Sequence, residues 1–316
     1  MGSAAPALID VLIIGGGPAG LAVATGLARQ LYTAVVFDSG VYRNARTNHM
    51  HNVVTWDHRD PADFRAKARA DLLARYETIR IEESKIESIR RNGDGRFEAI
   101  DGKGNVWTGK KLALAVGMED VYPDIPGYDD VWARGVYHCL FCDGYEDRGV
   151  ESAGILALGE LGTLRPAVQT ARMAKRLTSS VTIYTDGDSE LESQIRNVLG
   201  SQNLQRVGTS EGSPLVGTNS PRGHVWNRIG LPPCNQVINL RQGLNGDPSD
   251  VPTRCKPKIN GPFVEQLGLE LADTAVIKTS SPWYETSVPG VFAVLTPRMS
   301  MGAFAAAGLA RQLGAE

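Results

Sequence analysis

The chain has 316 residues, of which 42% are apolar and 22% charged, and its formal net charge is −2. That balance describes a globular protein long enough for two domains and excludes a disordered chain. It also excludes the electrostatic footprint that nucleic acid or an anionic membrane would require.

The N-terminus, Met1-Gly2-Ser3-Ala4-Ala5-Pro6, lacks the charged and apolar regions of a signal peptide, and Pro6 stands where a myristoylation signal needs Ser or Thr. Between Asp10 and Arg29 there is no charge. This run contains five glycines and a proline and passes from β-branched to alanine-rich sequence, so strand, glycine turn and helix explain it better than a membrane span. A soluble, cytoplasmic protein is expected. In that compartment a Cys-x-x-Cys pair is metal-binding or catalytic more often than part of a disulfide framework.

"LIDVLIIGGGPAGLAVATGLARQ" reads as a buried strand over Ile9 to Ile14, then Gly15-x-Gly17-x-x-Gly20, then a helix to about Gln30. A second apolar strand, "AVVF", ends in Asp38. Glycines let the backbone approach a pyrophosphate, the helix N-terminus stabilises its charge, and a carboxylate after the second strand accepts ribose hydroxyls. A lone GxGxxG is weak evidence, but here strand, turn, helix, strand and acid fall in register. A dinucleotide site is expected, against the alternative of a glycine-rich core turn.

Next comes "HCLFCDGYED", with Cys139 and Cys142 three apart. A closed zinc site would want a second Cys-x-x-Cys or a paired histidine motif. Cys234 and Cys255 form no such motif, and His138 adjoins Cys139 too closely to complete a tetrahedral set. No metal centre is expected. A pair placed just before a second nucleotide-domain-like repeat suits a disulfide that exchanges electrons with a flavin. Asp143 can carry protons during exchange, because the thiolate is the reacting form; alternatively it is only a turn residue before Gly144. Cys234 and Cys255 read as incidental thiols.

"GILALGELGTLRPAVQTARMAKRL" and "SVTIYTDGD" repeat the strand–turn–helix–strand pattern from Gly154 to Asp188. Leu161 stands where the second glycine of the turn belongs, and Leu164 replaces the last small residue. Asp186 follows the second strand with no arginine to pair a 2′-phosphate. A carboxylate there repels NADPH, so this repeat is expected to be retained as a scaffold.

Taken together, "DVLIIGGGPAGLAVATGLARQL", "AVVFDSGVYRNA", "HMHNV", "WDHRDPA", "YHCLFCDGYED", "ARMAKRL", "VTIYTDG", "INGPFVEQLGLEL" and "YETSVPGVFAV" resemble the fungal thioredoxin-reductase-like dithiol oxidases, gliotoxin-oxidase-like members of the class-II pyridine nucleotide-disulfide oxidoreductases. The likeness covers nearly all of residues 8–200 and then 256–316. It implies FAD held by Gly15, Gly17, Pro18 and Gly20, with Asp38, Arg43 and His51 flanking it and Ala115 where the chain crosses the flavin. Plain alternatives are a solvated loop charge for Arg43, a satisfied core histidine for His51 and strand packing for Ala115. His49, His58 and His224 have no motif support and read as surface or loop residues. The resemblance further implies Cys139 as the outer thiol, Cys142 against the flavin and Asp143 as acid or base, with reduced flavin reoxidised by O2. A homodimer is expected.

Two departures stand out. After Val294 the family continues into Gly-Asp-Cys, whose Asp binds the FAD ribityl chain; here "LTPRMSMGAFAAAGLARQL" follows, in which Ala303, Ala306 and Ala307 are small enough for close packing. Losing that charge-assisted hydrogen bond costs about 1.5–3 kcal/mol, or one to two decades of affinity, so FAD binding should be weakened and not abolished. From Arg206 to Cys255 the composition shifts to Gly, Pro, Ser and Asn, the stretch being either an adapted loop or the product of an altered splice or reading frame.

The expected fold is α/β, with two Rossmann-like, doubly wound, three-layer domains. Residues 1–118 and 256–316 form the FAD domain, and 119–255 the inserted central module carrying the Cys-x-x-Cys. The expected function is oxidation of a small dithiol to a disulfide with O2 as acceptor, in secondary metabolism of the epidithiodioxopiperazine type. The rivals are an NADPH-dependent thioredoxin reductase and a flavin-poor pseudo-oxidoreductase acting as a binding partner.

Overall fold

The computed structural model describes residues 8–121, 132–185, 187–199, 207–208, 237–238, 258–295 and 299–316. Asp186, Cys234, Cys255, His224 and most of 206–255 lie outside these residues. The chain divides into two units. One comprises Met1–Ala45, Pro61–Glu119 and Pro257–Glu316, and the other Arg46–Asp60 and Asp120–Lys256. The segment 46–60 thus groups with the second unit, whereas the sequence placed it in the first.

The first unit begins β1 (Ile9–Ile14), α1 (Pro18–Ala28), β2 (Ala34–Phe37), α2 (Pro61–Arg75), β3 (Ile79–Glu82), β4 (Ile86–Arg91), β5 (Phe97–Asp101), β6 (Val106–Leu114) and β7 (Met118–Glu119). β1 pairs in parallel with β2 and β6, so both its edges are bonded, and its unbroken apolar run is buried in a core on each face of the sheet. Its side chains alternate between two cores. Val11 and Ile13 join the cluster that holds α1, while Leu12 and Ile14 join the one on the opposite face. Gly17 and Pro18 start α1: the glycine is extended, and proline fits the first helical position because its missing N–H would have no partner there.

The second unit contains β8 (Val136–Tyr137), α3 (Leu140–Asp143), β9 (Ser152–Leu156), a 3-10 turn at Gly159–Leu161, α4 (Leu164–Lys175), β10 (Ser180–Tyr184), α5 (Ser189–Leu199), β11 (Val207–Gly208) and β12 (Val237–Ile238). Its five strands run β11-β10-β9-β12-β8, every pair parallel. α4 buries Ala167, Val168, Ala171 and Ala174, a stripe at helical spacing that covers the sheet.

The chain re-enters the first unit at β13 (Lys258–Ile259), which pairs antiparallel with β7. There follow α6 (Phe263–Leu267), β14 (Val291–Ala293) and α7 (Met299–Leu313). β14 lies parallel to the end of β6 and completes a seven-stranded sheet. α7 packs on α1 through small residues: a Cβ on Gly302 would come 2.6 Å from the Ala19 carbonyl, and one on Gly26 would come 2.5 Å from the Ala306 Cβ. Of the alanines expected to permit this approach, Ala306 is buried but Ala303 and Ala307 are exposed. Gly302, Ala305 and Ala306 form the packed face instead, because the helix turns its 302–305–306–309 stripe inward.

Both units are α/β of Rossmann type, as the sequence predicted; the sheet of the second unit is parallel, and that of the first is mixed, with β4, β5 and β6 antiparallel to one another in turn. Among the described residues, no helix is long and apolar enough to cross a membrane.

Candidate active site

In the first unit the glycine turn follows β1 directly. Gly15 has φ +116, and a Cβ there would lie 2.2 Å from the Ala115 carbonyl oxygen. A Cβ on Gly20 would lie 1.9 Å from the Gly15 oxygen. These two glycines are fixed by backbone crowding. Gly17 differs, for nothing lies within 4 Å of where its Cβ would be. It stands before an α1 N-terminus with no side-chain cap and no acid in the first turn, so no side chain at the cap takes up the donor N–H groups there. Ala115 continues β6, is buried, and its N–H donates to the Ile14 carbonyl at 2.8 Å.

Asp38, only 4% exposed, closes the same turn from the end of β2. One carboxylate oxygen accepts from the Tyr42 hydroxyl at 2.6 Å and from Arg69 at 3.2 Å, and the other from the Gly40 N–H at 3.0 Å. Arg65 lays its guanidinium 3.7 Å over the Tyr42 ring and donates to Asn44 at 3.1 Å. Arg43 is half-buried. Tyr42, Arg65 and Arg69 escaped the sequence reading because they lie on a loop and a helix without motif spacing.

In the second unit Cys139 and Cys142 are joined in a disulfide, their Cα atoms 5.3 Å apart, well inside the ordinary range. Cys139 is extended and caps the single turn of α3, whose Leu140 anchors it in the core. Gly144 ends that turn under contact, since a Cβ there would meet the Leu140 carbonyl at 2.7 Å. Three carboxyl groups follow. Burial pushes Asp143 up to about 6; His51 opposes the rise, while Glu146 and Asp147 add to it. Burial likewise raises Asp147, although its hydrogen bond from the Tyr137 hydroxyl at 2.7 Å favours the charged form.

The segment 46–60 clamps the two carbonyls inside the redox turn. Asn52 donates its side-chain amide to the Phe141 carbonyl at 2.7 Å, and the His51 Nδ1–H donates to the Cys142 carbonyl. The segment is closed by an antiparallel bridge between Met50 and Arg59, with the His58 N–H donating to the Met50 carbonyl at 2.8 Å. Asn52, Thr55 and His58 have φ of 60, 69 and 58, an unfavourable conformation for side chains such as threonine that this tight closure holds in place. His51, expected to flank the cofactor, has its polar partners here at the disulfide. Asn52 and Glu146 are further neighbours that the sequence reading did not pick out. "HMHNV" and "CDGYED" contain them, but nothing in their spacing joins the two stretches.

In the nucleotide-like repeat, Leu161 is 2% exposed and sits in the core with Ala153, Ile155 and Ala167. It was expected to crowd a phosphate. The 3-10 turn rotates it inward instead, where its side chain is stabilised by burial. Leu164 packs at the edge of the same core.

A two-unit α/β chain with a glycine turn in one unit and a Cys-x-x-Cys disulfide in the other defines a flavoenzyme-like disulfide oxidoreductase architecture. Residues 9–200 match the family described as pyridine nucleotide-disulphide oxidoreductase, and the chain belongs to that family. Within it, the chain is 40% identical to thioredoxin reductase aclD of Aspergillus oryzae over 98% of both chains. It is 39% identical to thioredoxin reductase tcpT of Claviceps purpurea, covering 90% of this chain and 85% of that one. The crystal structure of HlmI superimposes with a TM-score of 0.80 at 27% identity, covering 100% of this chain and 95% of that one. The chain is therefore a thioredoxin-reductase-like oxidoreductase of disulfide chemistry.

Proposed function

We propose that this protein is an FAD-dependent oxidase that converts a small dithiol to its disulfide and passes the electrons to O2, giving hydrogen peroxide. The observation that carries the reading is the Cys139–Cys142 disulfide followed directly by Asp143, a carboxyl group held near neutrality. The first unit fits FAD. Gly17 leaves space beside the donor end of α1, Gly15 and Gly20 hold the turn flat, and Asp38, a carboxylate with more acceptor sites than its three partners use, stands where a ribose would lie. Of the residues that follow Val294 where the family has Gly-Asp-Cys, Leu295 is buried in the core, and 296–298 lie outside the described ones. Bound FAD would accept two electrons from the reduced cysteine pair and deliver them to O2.

The chain's own steps concern sulfur and protons. A substrate thiolate attacks the Cys139 sulfur and expels Cys142 as thiolate. The second substrate thiol then attacks the mixed disulfide and expels Cys139, so the substrate gains one S–S bond and the protein pair gains two electrons and two protons. Asp143, ionised above about pH 6, takes the proton from the incoming thiol and returns it to the departing sulfur. His51 and Asn52 hold the carbonyls of Cys142 and Phe141, which keeps the turn in register during exchange. The proposed setting is secondary metabolism in the cytoplasm, with the protein as a homodimer.

A second reading, an NADPH-dependent thioredoxin reductase, is favoured by the names of the relatives and by the inward turn of Leu161. With that side chain buried, resistance to NADPH rests on Asp186, outside the described residues. Anaerobic mixing separates the two. A dithiol should bleach the flavin band, air should restore it, and NADPH should leave it unchanged; rapid bleaching by micromolar NADPH would establish the second reading.

Asp143 carries its own prediction. The parental kcat/KM should rise with pH through about 6 as the base ionises, and Asp143→Asn should lose that limb with a fall of roughly a hundredfold. Its effect on stability has a defined sign. The folded pKa of about 6 exceeds the ordinary 3.8, so the folded state binds this proton more tightly and loses stability as pH rises across that window. Asp143→Asn should raise Tm above pH 6 and leave it unchanged below 3.8. Thermal melts across that range, with no pH-dependent difference, would remove the acid–base role.

A further inference from the structure

We infer that His51, His58 and Glu146 form a binding site for a borderline divalent metal ion of the zinc type. The three donor atoms converge on one point. His51 Nε2 lies 3.1 Å from His58 Nδ1 and 3.1 Å from Glu146 Oε1, and His58 Nδ1 lies 3.6 Å from the same carboxylate oxygen. In a tetrahedral site with bonds of about 2.0–2.2 Å the ligand atoms stand about 3.3–3.6 Å apart; the 3.6 Å edge matches one edge of such a face, and the two of 3.1 Å fall slightly short of it, so a bound ion would spread His51 from its two partners by a few tenths of an ångström.

The hydrogen bonding points the same way. His51 donates its Nδ1–H to the Cys142 carbonyl, the arrangement that metal-bound histidines use to fix ring orientation and tautomer. With Nδ1 engaged at that carbonyl, His51 directs Nε2 at both His58 Nδ1 and Glu146 Oε1. His58 is braced from behind by His49, whose ring stacks on it at 4.1 Å with planes 10° apart. Two imidazoles and one carboxylate suit zinc, nickel or copper, and not magnesium or calcium, which prefer oxygen throughout. Three protein ligands leave a fourth position for water or an exogenous donor.

The site joins the 46–60 segment to the residues that follow the redox turn, and it needs neither flavin nor the free thiols. The test therefore uses full-length protein with the Cys139–Cys142 disulfide intact, remaining thiols alkylated and adventitious metal removed by a chelator. Calorimetry with Zn2+ should show one equivalent bound, and Co2+ should give the intense visible bands of tetrahedral coordination. Zn2+ should also raise Tm. His58→Ala and Glu146→Gln, checked for folding by their metal-free melts, should each weaken Zn2+ binding by at least about a hundredfold and abolish the Tm rise. Failure of the parent to bind Zn2+, or undiminished binding in both variants, would overturn the inference and leave protons alone between these side chains.

Discussion

Cys139→Ser is expected to lower dithiol oxidation by more than about a thousandfold, and Cys142→Ser by as much, because each removes one sulfur of the reacting pair. The two failures should differ in kind. In Cys142→Ser the proposed outer sulfur, that of Cys139, remains as a free thiol. Incubated with a linear aromatic disulfide, it should break that S–S bond, form a mixed disulfide on Cys139 and release one aryl thiol. In Cys139→Ser the same probe should leave Cys142 unlabelled. Mass spectrometry of the peptides that contain residues 139 and 142 reads both outcomes apart from any label on Cys234 or Cys255. The serines replace half-buried residues at the rim of α3 while Leu140 keeps the anchor in the core, so both variants should fold. Parental turnover in both would end the redox assignment, and a reversed labelling pattern would exchange the roles of the two sulfurs.

Gly17→Val should nearly abolish flavin binding while leaving the melting temperature close to that of the apo parent. Its backbone, φ −75 and ψ −178, suits any residue, and its Cβ would enter open space. That space lies at the donor end of α1, where under the proposed function the FAD pyrophosphate would approach the backbone. A branched side chain there should weaken FAD by at least about a hundredfold, or roughly 2.7 kcal/mol. Gly20→Ala should behave differently. Its Cβ would fall 1.9 Å from the Gly15 carbonyl oxygen, so the turn itself must shift and the apo protein should lose stability, by about 1–3 kcal/mol or more. Flavin titration beside thermal denaturation separates the two. Unchanged flavin affinity in Gly17→Val would place the cofactor elsewhere or remove it from the proposal.

The glycine turn could be read from sequence because its constraint is local: strand, turn and helix are consecutive, and Gly15 and Gly20 answer backbone requirements. The direction of Leu161 could not. Whether a side chain at that position faces a phosphate or the core depends on whether the turn winds as a 3-10 helix, and the choice is made by packing against Ile155 and Ala167, contacts that residue identity does not reveal. The small face of α7 was legible as a composition, but its rotation was not. Ala303 and Ala307 are as small as Ala306 yet point outward. The grouping of His51, His58 and Glu146 lay furthest from view. The histidines sit on an irregular loop closed by a single bridge, where no helical or strand period relates them, and Glu146 comes from a distant part of the chain. Here tertiary structure alone supplies the proximity.

The pairing of β7 with β13 bears on how such a chain can be assembled and rebuilt. Glu119 and Lys258 are ladder partners, so the first unit holds the two ends of everything between them side by side. To that unit the intervening stretch is one long excursion, and lengthening a loop is cheap. Each doubling costs only about 0.6 kcal/mol of closure entropy, so growth from a few residues to well over a hundred costs about 3 kcal/mol, a sum that a few buried side chains offset. The ladder's antiparallel sense also admits the shortest reversal known, a two-residue Asn-Gly turn in place of the whole excursion. The exit and return at β7 and β13 are therefore a junction at which the stretch between them could be exchanged without altering the register of the seven-stranded sheet, the segment 46–60 being reached by a separate crossing.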